Sequence, residues 1–352
     1  MVASVPKLTT KWPAASLLAI LFVWLLILSG CSSEPEQRVL SVSGATMGTT
    51  YTVKWVSAEA GDESVERIGA LLQQSLLGVN QSMSTYIEDS ELSRFNQAGA
   101  GYSTAVSAGL FEVLQLAQSL SESTQGAFDV TVGPLVNLWG FGPDGRVTHA
   151  PEQAQIDQAR QRVGYQYLQL DAPRLHASKA ADLYVDLSAI AKGYGVDELA
   201  RVMEHEGIGS YLVEIGGELR ARGLKPDGNG WRIAIESPVD AGREVQRVIT
   251  VHETGVATSG DYRNYFQEDG VRFSHTLDPL TGRPITHQLA SVTVLRSTCA
   301  EADGLATALT VMGDERGYQY AVDNQIAAFF IVKSEAGFVE RMTPQFEQYL
   351  SK

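Results

Sequence analysis

An aspartate and a threonine late in the chain have the spacing of two metal ligands. Asp303 and Thr307 lie four residues apart in the run Glu301–Leu309, so both side chains share one face if this segment is helical. A carboxylate and a hydroxyl are hard oxygen donors, which suit Mg²⁺ better than a soft metal. Water, a carbonyl and ligand phosphates would complete the coordination shell. An aspartate near a helix start is also a common cap, and the spacing alone leaves both roles open.

A second polar cluster could bind an anion. Asp186 stands at the end of an apolar run, and small residues lead from it to Lys192, Gly193 and Gly195. A strand that enters a helix in this way offers free backbone N–H groups, the positive end of the helix and a cation to an anionic ligand. The same pattern also describes an ordinary strand–helix junction with the lysine in solvent.

Two further clusters could contact a planar ligand. Glycines and aromatic residues cluster in the irregular stretch Gly126–Gly142, where backbone could approach a ring and Asp129 could make polar contacts. Near the N-terminus, Met47 and Tyr86 could sandwich an aromatic group, because thioethers and phenols pack well on π-faces. Without a ligand, the first of these clusters would be a loop packed over the core, and Met47 and Tyr86 would be ordinary core residues.

His275 could act as a general base. It lies in a dense polar run just before a proline turn, and an imidazole changes its protonation near neutral pH. A lone histidine is more often structural. The segment Asp278–Gly282 is typical of a turn, and Cys299, set among small residues, is expected to be buried rather than catalytic.

Several common kinds of site are excluded by the sequence. It contains no Gly-rich dinucleotide fingerprint after a strand, no P-loop, no H-E-x-x-H and no G-x-S-x-G, and its 6 histidines have no ligand spacing. A zinc site is therefore not expected. The formal net charge of −14 disfavours nucleic acid and anionic lipid as partners. Any anionic ligand must be met locally, by a metal, a lysine or a helix N-terminus.

The elements that must position these residues are strands and helices mixed along the chain. Alternating or apolar runs predict strands, and apolar residues at helical spacing predict helices. The predicted strands are Thr50–Val56, Tyr211–Ile215, Trp231–Ile235, Val245–Val251, Ser291–Leu295 and Ala327–Val332, and the predicted helices include 65–76, 110–120, 190–206 and 299–312. Several consecutive strands without intervening helices favour one α+β domain over a doubly wound parallel sheet.

The N-terminus is expected to be an export signal. Lys7 and Lys11 precede the apolar stretch Ala14–Leu28, and Leu28–Cys31 matches the lipobox of bacterial lipoproteins. We therefore predict a lipoprotein signal peptide at 1–30, lipidated Cys31 with a polar tether at 31–38, and a single domain at 39–352. The protein would be lipid-anchored on the periplasmic side of the cell envelope, with the choice between inner and outer membrane left open.

Taken together and in this order, the clusters resemble the ApbE family of FAD:protein FMN transferases. The resemblance covers almost the whole chain after the tether. The stretches that carry it are Thr46–Tyr51, Met83–Asn96, Gly126–Gly142, Asp186–Asp197, Glu214–Glu218, Thr258–Tyr265, Ser274–Pro284 and Ala302–Leu309.

The resemblance implies an activity and a set of site residues. FMN would pass from FAD to a threonine hydroxyl of an acceptor protein as a phosphodiester, with release of AMP. The acceptors would be periplasm-facing subunits of redox-driven ion pumps. The metal would be Mg²⁺, with Mn²⁺ as the alternative. The implied roles are catalysis by His275, FAD binding by Met47, Tyr86, Ala127, Phe128, Asp129, Asp186, Lys192 and Leu277, and metal binding by Asp303, Thr307 and the carbonyl of Ala189.

Two other functions use the same residues. A metal-dependent FAD pyrophosphatase would let water attack in place of the threonine, giving FMN and AMP. A non-catalytic lipoprotein would bind FAD without turnover, although such a protein would have no need of the base assigned to His275. The sequence leaves the acceptor and the oligomeric state open.

Overall fold

A computed structural model describes residues 4, 37–58, 62–147, 149–238, 244–260 and 265–351. Apart from residue 4, the predicted signal peptide lies outside these residues, as does Cys31. The chain divides into a short unit, 1–37, and a larger one, 38–352, and every element named below belongs to the larger unit. Within the described part, no helix is both long and apolar enough to cross a membrane.

The helices are, in chain order, α1 (Asp62–Met83), α2 (Glu91–Gln97), α3 (Ala108–Ser123), α4 (Gly133–Leu138), α5 (Gln153–Arg160), α6 (Ala191–His205) and α7 (Cys299–Asp323). The strands are β1 (Arg38–Thr46), β2 (Thr49–Ser57), β3 (Ser103–Ala105), β4 (Leu168–Asp171), β5 (His176–Lys179), β6 (Tyr211–Ile215), β7 (Glu218–Arg222), β8 (Trp231–Glu236), β9 (Val245–Val251), β10 (Glu253–Gly260), β11 (Tyr265–Glu268), β12 (Val271–Ser274), β13 (Leu277–Asp278), β14 (Arg283–Pro284), β15 (Leu289–Arg296), β16 (Ala327–Ser334) and β17 (Gly337–Met342).

One large sheet organises the fold. Eight strands lie in the order β1-β2-β6-β7-β10-β15-β16-β17, and each neighbouring pair is antiparallel. Side chains alternate between the two faces. On β15, Val292 and Val294 join the core shared with the helices, whereas Leu295 packs with residues of the β8–β9 hairpin and with Phe346. The expected α+β architecture is confirmed.

Two tight turns lie side by side at one end of this sheet. Met47 and Gly48 join β1 to β2, and Gly216 and Gly217 join β6 to β7, as the register of each hairpin shows. All four residues have positive φ, which is typical of two-residue hairpin turns. A Cβ on Gly216 would lie 2.8 Å from Thr49 Cγ2, so the two turns contact each other.

The starts of α6 and α7 meet below these turns. Asp197, on α6, accepts hydrogen bonds from the amides of Cys299 and Ala300 at 3.0 and 2.9 Å. It therefore caps α7 from another helix, which satisfies amides that a helix start leaves without partners. Arg220 of β7 donates to the same carboxylate at 3.0 Å. One buried aspartate thus ties two helices and the sheet together.

The predicted elements agree with the structure apart from their ends. The strand predicted at Tyr211–Ile215 and that at Val245–Val251 have the observed bounds. The last long helix extends to Asp323 instead of Met312, but Gly313 has φ 82° and ψ −176° and interrupts it. The first helical segment therefore ends where the sequence predicted. Ser90 caps α2 through the amide of Ser93 at 2.9 Å.

Candidate functional site

Asp303 lies where the two helix starts meet. It is buried in the second turn of α7, and its Oδ2 accepts a hydrogen bond from the amide of Gly193 on α6 at 3.0 Å. Only glycine allows this approach, since a Cβ on Gly193 would lie 2.5 Å from the Cys299 carbonyl oxygen and 2.8 Å from Asp303 Cβ. The local sequence Lys-Gly therefore brings a cation and a carboxylate to one point.

The oxygen atoms around Asp303 fit a hard divalent cation. Thr307 is helical and four residues on, so its hydroxyl shares the face of Asp303, as predicted. The Gly193 amide lies in the first turn of α6, where amides have no partner within their own helix, and it donates to Asp303. With the Ala189 carbonyl that the resemblance implies, the donor set would be one carboxylate, one hydroxyl and one carbonyl, which suits Mg²⁺; the part of Ala189 in it stays a prediction. No group of three or more His, Cys, Asp or Glu able to hold a metal exists among the described residues, so water or ligand oxygens would complete the shell.

The charge balance of this cluster also favours a cation. Burial raises the pKa of Asp303 to about 7, and the negative charge of Glu218 acts in the same direction. Glu218 itself is buried and pairs with Lys192 at 2.7 Å between Oε1 and Nζ. With all three groups ionised, two carboxylates face one ammonium group. The net negative charge in this poorly solvated cluster disfavours ionisation of Asp303, which explains the raised pKa of its carboxyl group.

Lys192 remains a cation in this setting. Burial alone would lower the pKa of its ammonium group, but the Glu218 and Asp303 carboxylates outweigh burial and the pKa lies above its ordinary value. Lys192 also stands in the first turn of α6, where the backbone amides add positive potential. The structure therefore places a fixed positive charge and a helix start together, as the anion-binding interpretation requires.

Glu218 is not among the site residues predicted from the sequence. It begins β7 directly after the Gly216-Gly217 turn, which aims its side chain at α6. The signal in the sequence was its position: it ends Glu214–Glu218, a stretch that carries the resemblance, and follows two glycines at the start of a strand whose other face is apolar. That signal does not reveal the lysine partner, which is 26 residues earlier in the chain.

Met47 lies above α6. It occupies the β1–β2 turn with φ 49°, a conformation that a non-glycine residue adopts at some cost. Its Cε would lie 2.9 Å from a Cβ on Gly195, so the thioether packs on the glycine face of α6, one turn from Lys192. Met47 is only partly buried. It can therefore cover a ligand bound at the α6 start, as the resemblance implies.

Tyr86 borders an open cleft. Its side chain is 68% exposed, and its hydroxyl lies 3.5 Å from the Phe141 carbonyl oxygen. The cleft has a volume of about 350 Å³ and is lined by Thr85, Tyr86, Glu88, Ser93, Asn96, Gln97, Pro143, Asp144 and Tyr184. An exposed ring beside a cleft is available for stacking on a planar ligand, in contrast to a core tyrosine.

Asp186 lies near the same tyrosines. Its charge contributes to raising the pKa of Tyr86 and of Tyr184, after burial, which is the larger cause in both. Its Oδ1 accepts from the amide and hydroxyl of Ser188 at 2.8 and 2.5 Å. Asn96 fixes the preceding residue, because its side-chain amide bonds both the N–H and the C=O of Val185 at 2.8 Å. Asp186 is thus held in place from two sides.

Three predicted FAD residues point into the protein instead of into a cleft. Ala127 and Phe128 are each 2% exposed, and the Phe128 ring would lie 3.5 Å from a Cβ on Gly304, next to Asp303. The Asp129 oxygens accept from the Thr131 amide and hydroxyl at 2.8 and 2.6 Å and from the Tyr165 amide at 2.9 Å. These contacts indicate that Asp129 shapes the loop. Direct contact of the three with FAD stays a prediction.

His275 lies on the Tyr86 side of the site. Its ring meets the Phe141 ring edge to face, with centroids 6.3 Å apart, and Phe141 is the residue whose carbonyl oxygen lies near the Tyr86 hydroxyl. The flanking Ser274 and Thr276 are buried and hydrogen-bonded to each other at 3.1 Å, which fixes the backbone at the histidine. Leu277, two residues after His275, is buried in a separate apolar cluster with Leu135, Trp139 and Ile156.

A larger groove lies elsewhere. It measures about 530 Å³ and runs between α1 and α6, with Tyr194 and Glu198 on its wall. None of the residues predicted for FAD or the metal lines it. Its size therefore gives no reason to move the site from the α6–α7 junction, where the charged groups converge. At this junction Cys299 is buried with a free thiol. Burial raises the pKa of that thiol well above the usual range, which makes it unreactive.

Comparison with known proteins identifies close relatives. Residues 47–330 match the model of the ApbE family. The chain is 48% identical over 328 residues to the FAD:protein FMN transferase of Vibrio cholerae, covering 93% of this chain and 97% of that protein. It is 44% identical to the FAD:protein FMN transferase of Haemophilus influenzae, covering 92% and 95%.

Solved structures of similar proteins have the same fold. The flavin transferase ApbE from Vibrio cholerae matches with a TM-score of 0.81 at 46% identity, covering 89% of this chain and 100% of that one. The Pseudomonas stutzeri flavinyl transferase ApbE, in its apo form, matches with a TM-score of 0.81 at 43% identity, covering 90% and 98%.

Proposed function

The chain belongs to the ApbE family and is a flavin-transferring enzyme; from that premise we propose that it moves FMN from FAD to a threonine hydroxyl of an acceptor protein and releases AMP. The observation that carries this proposal is the junction of α6 and α7, where Asp303, Gly193 and Lys192 converge. A diphosphate bound there would meet a lysine and a helix start. A protein that only stores FAD has no need of a general base, the role proposed below for His275.

The reaction breaks one phosphoanhydride bond and forms one phosphodiester bond. The threonine oxygen of the acceptor attacks the phosphorus on the FMN side, and the bond from that phosphorus to the oxygen of the AMP phosphate breaks. AMP leaves with the electron pair, and the threonine proton goes to a base. Negative charge grows on the leaving phosphate, so the Lys192 ammonium and the α6 amides stabilise the transition state more than the bound FAD.

The resident metal is proposed to be Mg²⁺, with Mn²⁺ as the alternative. Asp303, Thr307 and the Ala189 carbonyl would hold it, on the strength of the donor set described above. When bound, the cation supplies charge stabilisation to the phosphate oxygens. Ligation requires the Asp303 carboxylate to be ionised, and its raised pKa means that binding releases a proton near neutral pH.

The base is proposed to be His275, and the aromatic end of FAD is proposed to contact Tyr86 and Met47. His275 lies beside Phe141 and on the side of the exposed Tyr86 ring, where an acceptor can approach from solvent. An imidazole accepts a proton effectively near neutral pH. Asp186, held by Ser188, would receive polar groups of FAD near the same tyrosines.

We also propose that the protein is lipid-anchored through Cys31 and works on the periplasmic side of the cell envelope. The lysines, the apolar stretch and the lipobox support this. Its acceptors would then be periplasm-facing subunits of redox-driven ion pumps. Mass spectrometry of the purified mature protein tests the anchor: it should start at Cys31 and carry acyl chains, and Cys31→Ser should remove both features.

The test of the function is a transfer assay with the purified full chain, FAD, Mg²⁺ and a candidate acceptor domain. A mass gain of the acceptor equal to FMN, with equimolar AMP, is expected. Asp303→Ala and His275→Ala should both abolish it, and a chelator should abolish it in the wild type. AMP with free FMN and an unlabelled acceptor would indicate a pyrophosphatase. FAD binding without AMP under any condition would leave only the storage function.

A further inference from the structure

Glu218 is a buried carboxylate that has no role in the metal binding or in the base catalysis proposed above. Its side chain is 4% exposed and its Oε1 lies 2.7 Å from Lys192 Nζ. The Lys192 side chain, by contrast, is 33% exposed, so its ammonium group could turn toward solvent if nothing held it. The ion pair is therefore the contact that fixes the lysine head group at the α6 start.

The second oxygen of Glu218 has a different environment. Oε2 is buried with no hydrogen-bond partner in the described part of the chain, and the carboxylate interacts electrostatically with Asp303. An interior carboxylate with a free oxygen is costly to maintain. A structural ion pair would be expected to satisfy both oxygens, as Asp197 does with Arg220 and two amides. Glu218 thus resembles a group kept for function.

We propose that Glu218 is a positioning residue for flavin transfer: through Oε1 it holds the Lys192 ammonium group beside Asp303, facing the FAD diphosphate during transfer. The inference rests on the proposed function. Holding a long flexible cation in one geometry matters most in the transition state, where the charge on the leaving phosphate is greatest. In the ground state the Glu218 charge repels the diphosphate, so its removal should not weaken FAD binding.

The experiment uses the full chain and four variants: Glu218→Ala, Glu218→Gln, Lys192→Met and the double variant Glu218→Ala/Lys192→Met. Measured are kcat for FMN transfer and the FAD dissociation constant by flavin fluorescence. We expect Glu218→Ala to lower kcat by about 10- to 100-fold with the FAD dissociation constant within about threefold of wild type. Glu218→Gln should recover part of the rate, because its amide oxygen can still accept from Lys192.

The double variant distinguishes positioning from a general structural effect. If Glu218 acts through Lys192, the double variant should match Lys192→Met to within about threefold, since residues acting as a unit are not additive. Glu340→Ala is the matched control: it removes a carboxylate that pairs with Arg247 at 2.7 Å on strands remote from α6. This control should keep the wild-type kcat.

Three results would overturn the inference. One is a wild-type kcat in Glu218→Ala. Another is full additivity with Lys192→Met. The third is a loss of FAD affinity as large as the loss of rate, which would mean that Glu218 only supports the fold of the binding site. Absence of transfer by the wild type would refute the proposed function itself, so transfer by the wild type is measured before that of any variant.

Discussion

Substitution of Gly193 by alanine tests whether the approach of the two helix starts creates the proposed active site. The added Cβ would lie 2.5 Å from the Cys299 carbonyl oxygen, 2.8 Å from Ala300 Cα and 2.8 Å from Asp303 Cβ. To reach ordinary van der Waals separation, the starts of α6 and α7 must move apart by about 1 Å. The hydrogen bond from Gly193 to Asp303, now 3.0 Å, would then be too long to count as one.

The size of the effect follows from that displacement. Overpacking of a buried contact costs about 1–3 kcal/mol, partly offset by the gain in helix propensity from glycine to alanine of up to about 1 kcal/mol. The change in stability should therefore be small. A misplacement of about 1 Å between catalytic groups can cost roughly 100-fold in rate. We expect Gly193→Ala to fold, to bind FAD and to transfer FMN about 100-fold more slowly.

The assay compares Gly193→Ala with Gly78→Ala in the transfer reaction and in urea unfolding. Gly78 is inside α1, and a Cβ built on it meets no atom within 4 Å. Gly78→Ala should therefore keep the wild-type rate and gain up to about 1 kcal/mol of stability. A wild-type rate in Gly193→Ala would refute the reasoning, because the junction would then tolerate the separation. A loss of stability above about 3 kcal/mol would instead place the effect in the fold.

Three further changes have defined outcomes. Burial raises the pKa of Asp303 to about 7, so its ionised form destabilises the metal-free protein above pH 7, and this penalty disappears as the pH falls toward the pKa of the unfolded state. Without divalent cation, Asp303→Asn should therefore melt at a higher temperature than the wild type at pH 8, by an amount equivalent to roughly 4 kcal/mol at most. The difference in melting temperature should vanish by about pH 4. Asp197→Asn removes the charge facing Arg220 and one acceptor of the α7 cap, and should lower the free energy of unfolding in urea by about 2–3 kcal/mol with an unchanged m-value. Asn96→Asp leaves the Val185 carbonyl without its donor, so we expect a loss of about 1–3 kcal/mol and weaker FAD binding by fluorescence; an unchanged affinity would show that Asp186 is positioned without Asn96.

Local pattern was sufficient for most elements of the fold. The strand Tyr211–Ile215 and the helix from Cys299 are determined by apolar spacing and by caps close in sequence, such as Thr298, whose side chain accepts from the Glu301 amide. The pair Asp303 and Thr307 could also be predicted, because helical periodicity alone places them on one face. Ser90 and the turn at Asp278, where the Leu280 amide bonds the aspartate side chain at 2.9 Å, depend on neighbours two or three residues away.

What the sequence determined by itself was therefore the family and the α+β class, together with the residue types of the candidate site. Tertiary structure decided which of these residues meet. The ion pair of Lys192 with Glu218 and the cap of α7 by Asp197 join segments that are 26 and about 100 residues apart. Such contacts depend on the order of strands in the sheet and on the packing of α6 against α7, which no local periodicity encodes. The tertiary structure likewise turned Phe128 and Asp129 inward and left Tyr86 exposed, because burial is a property of the assembled layers and not of the residue type.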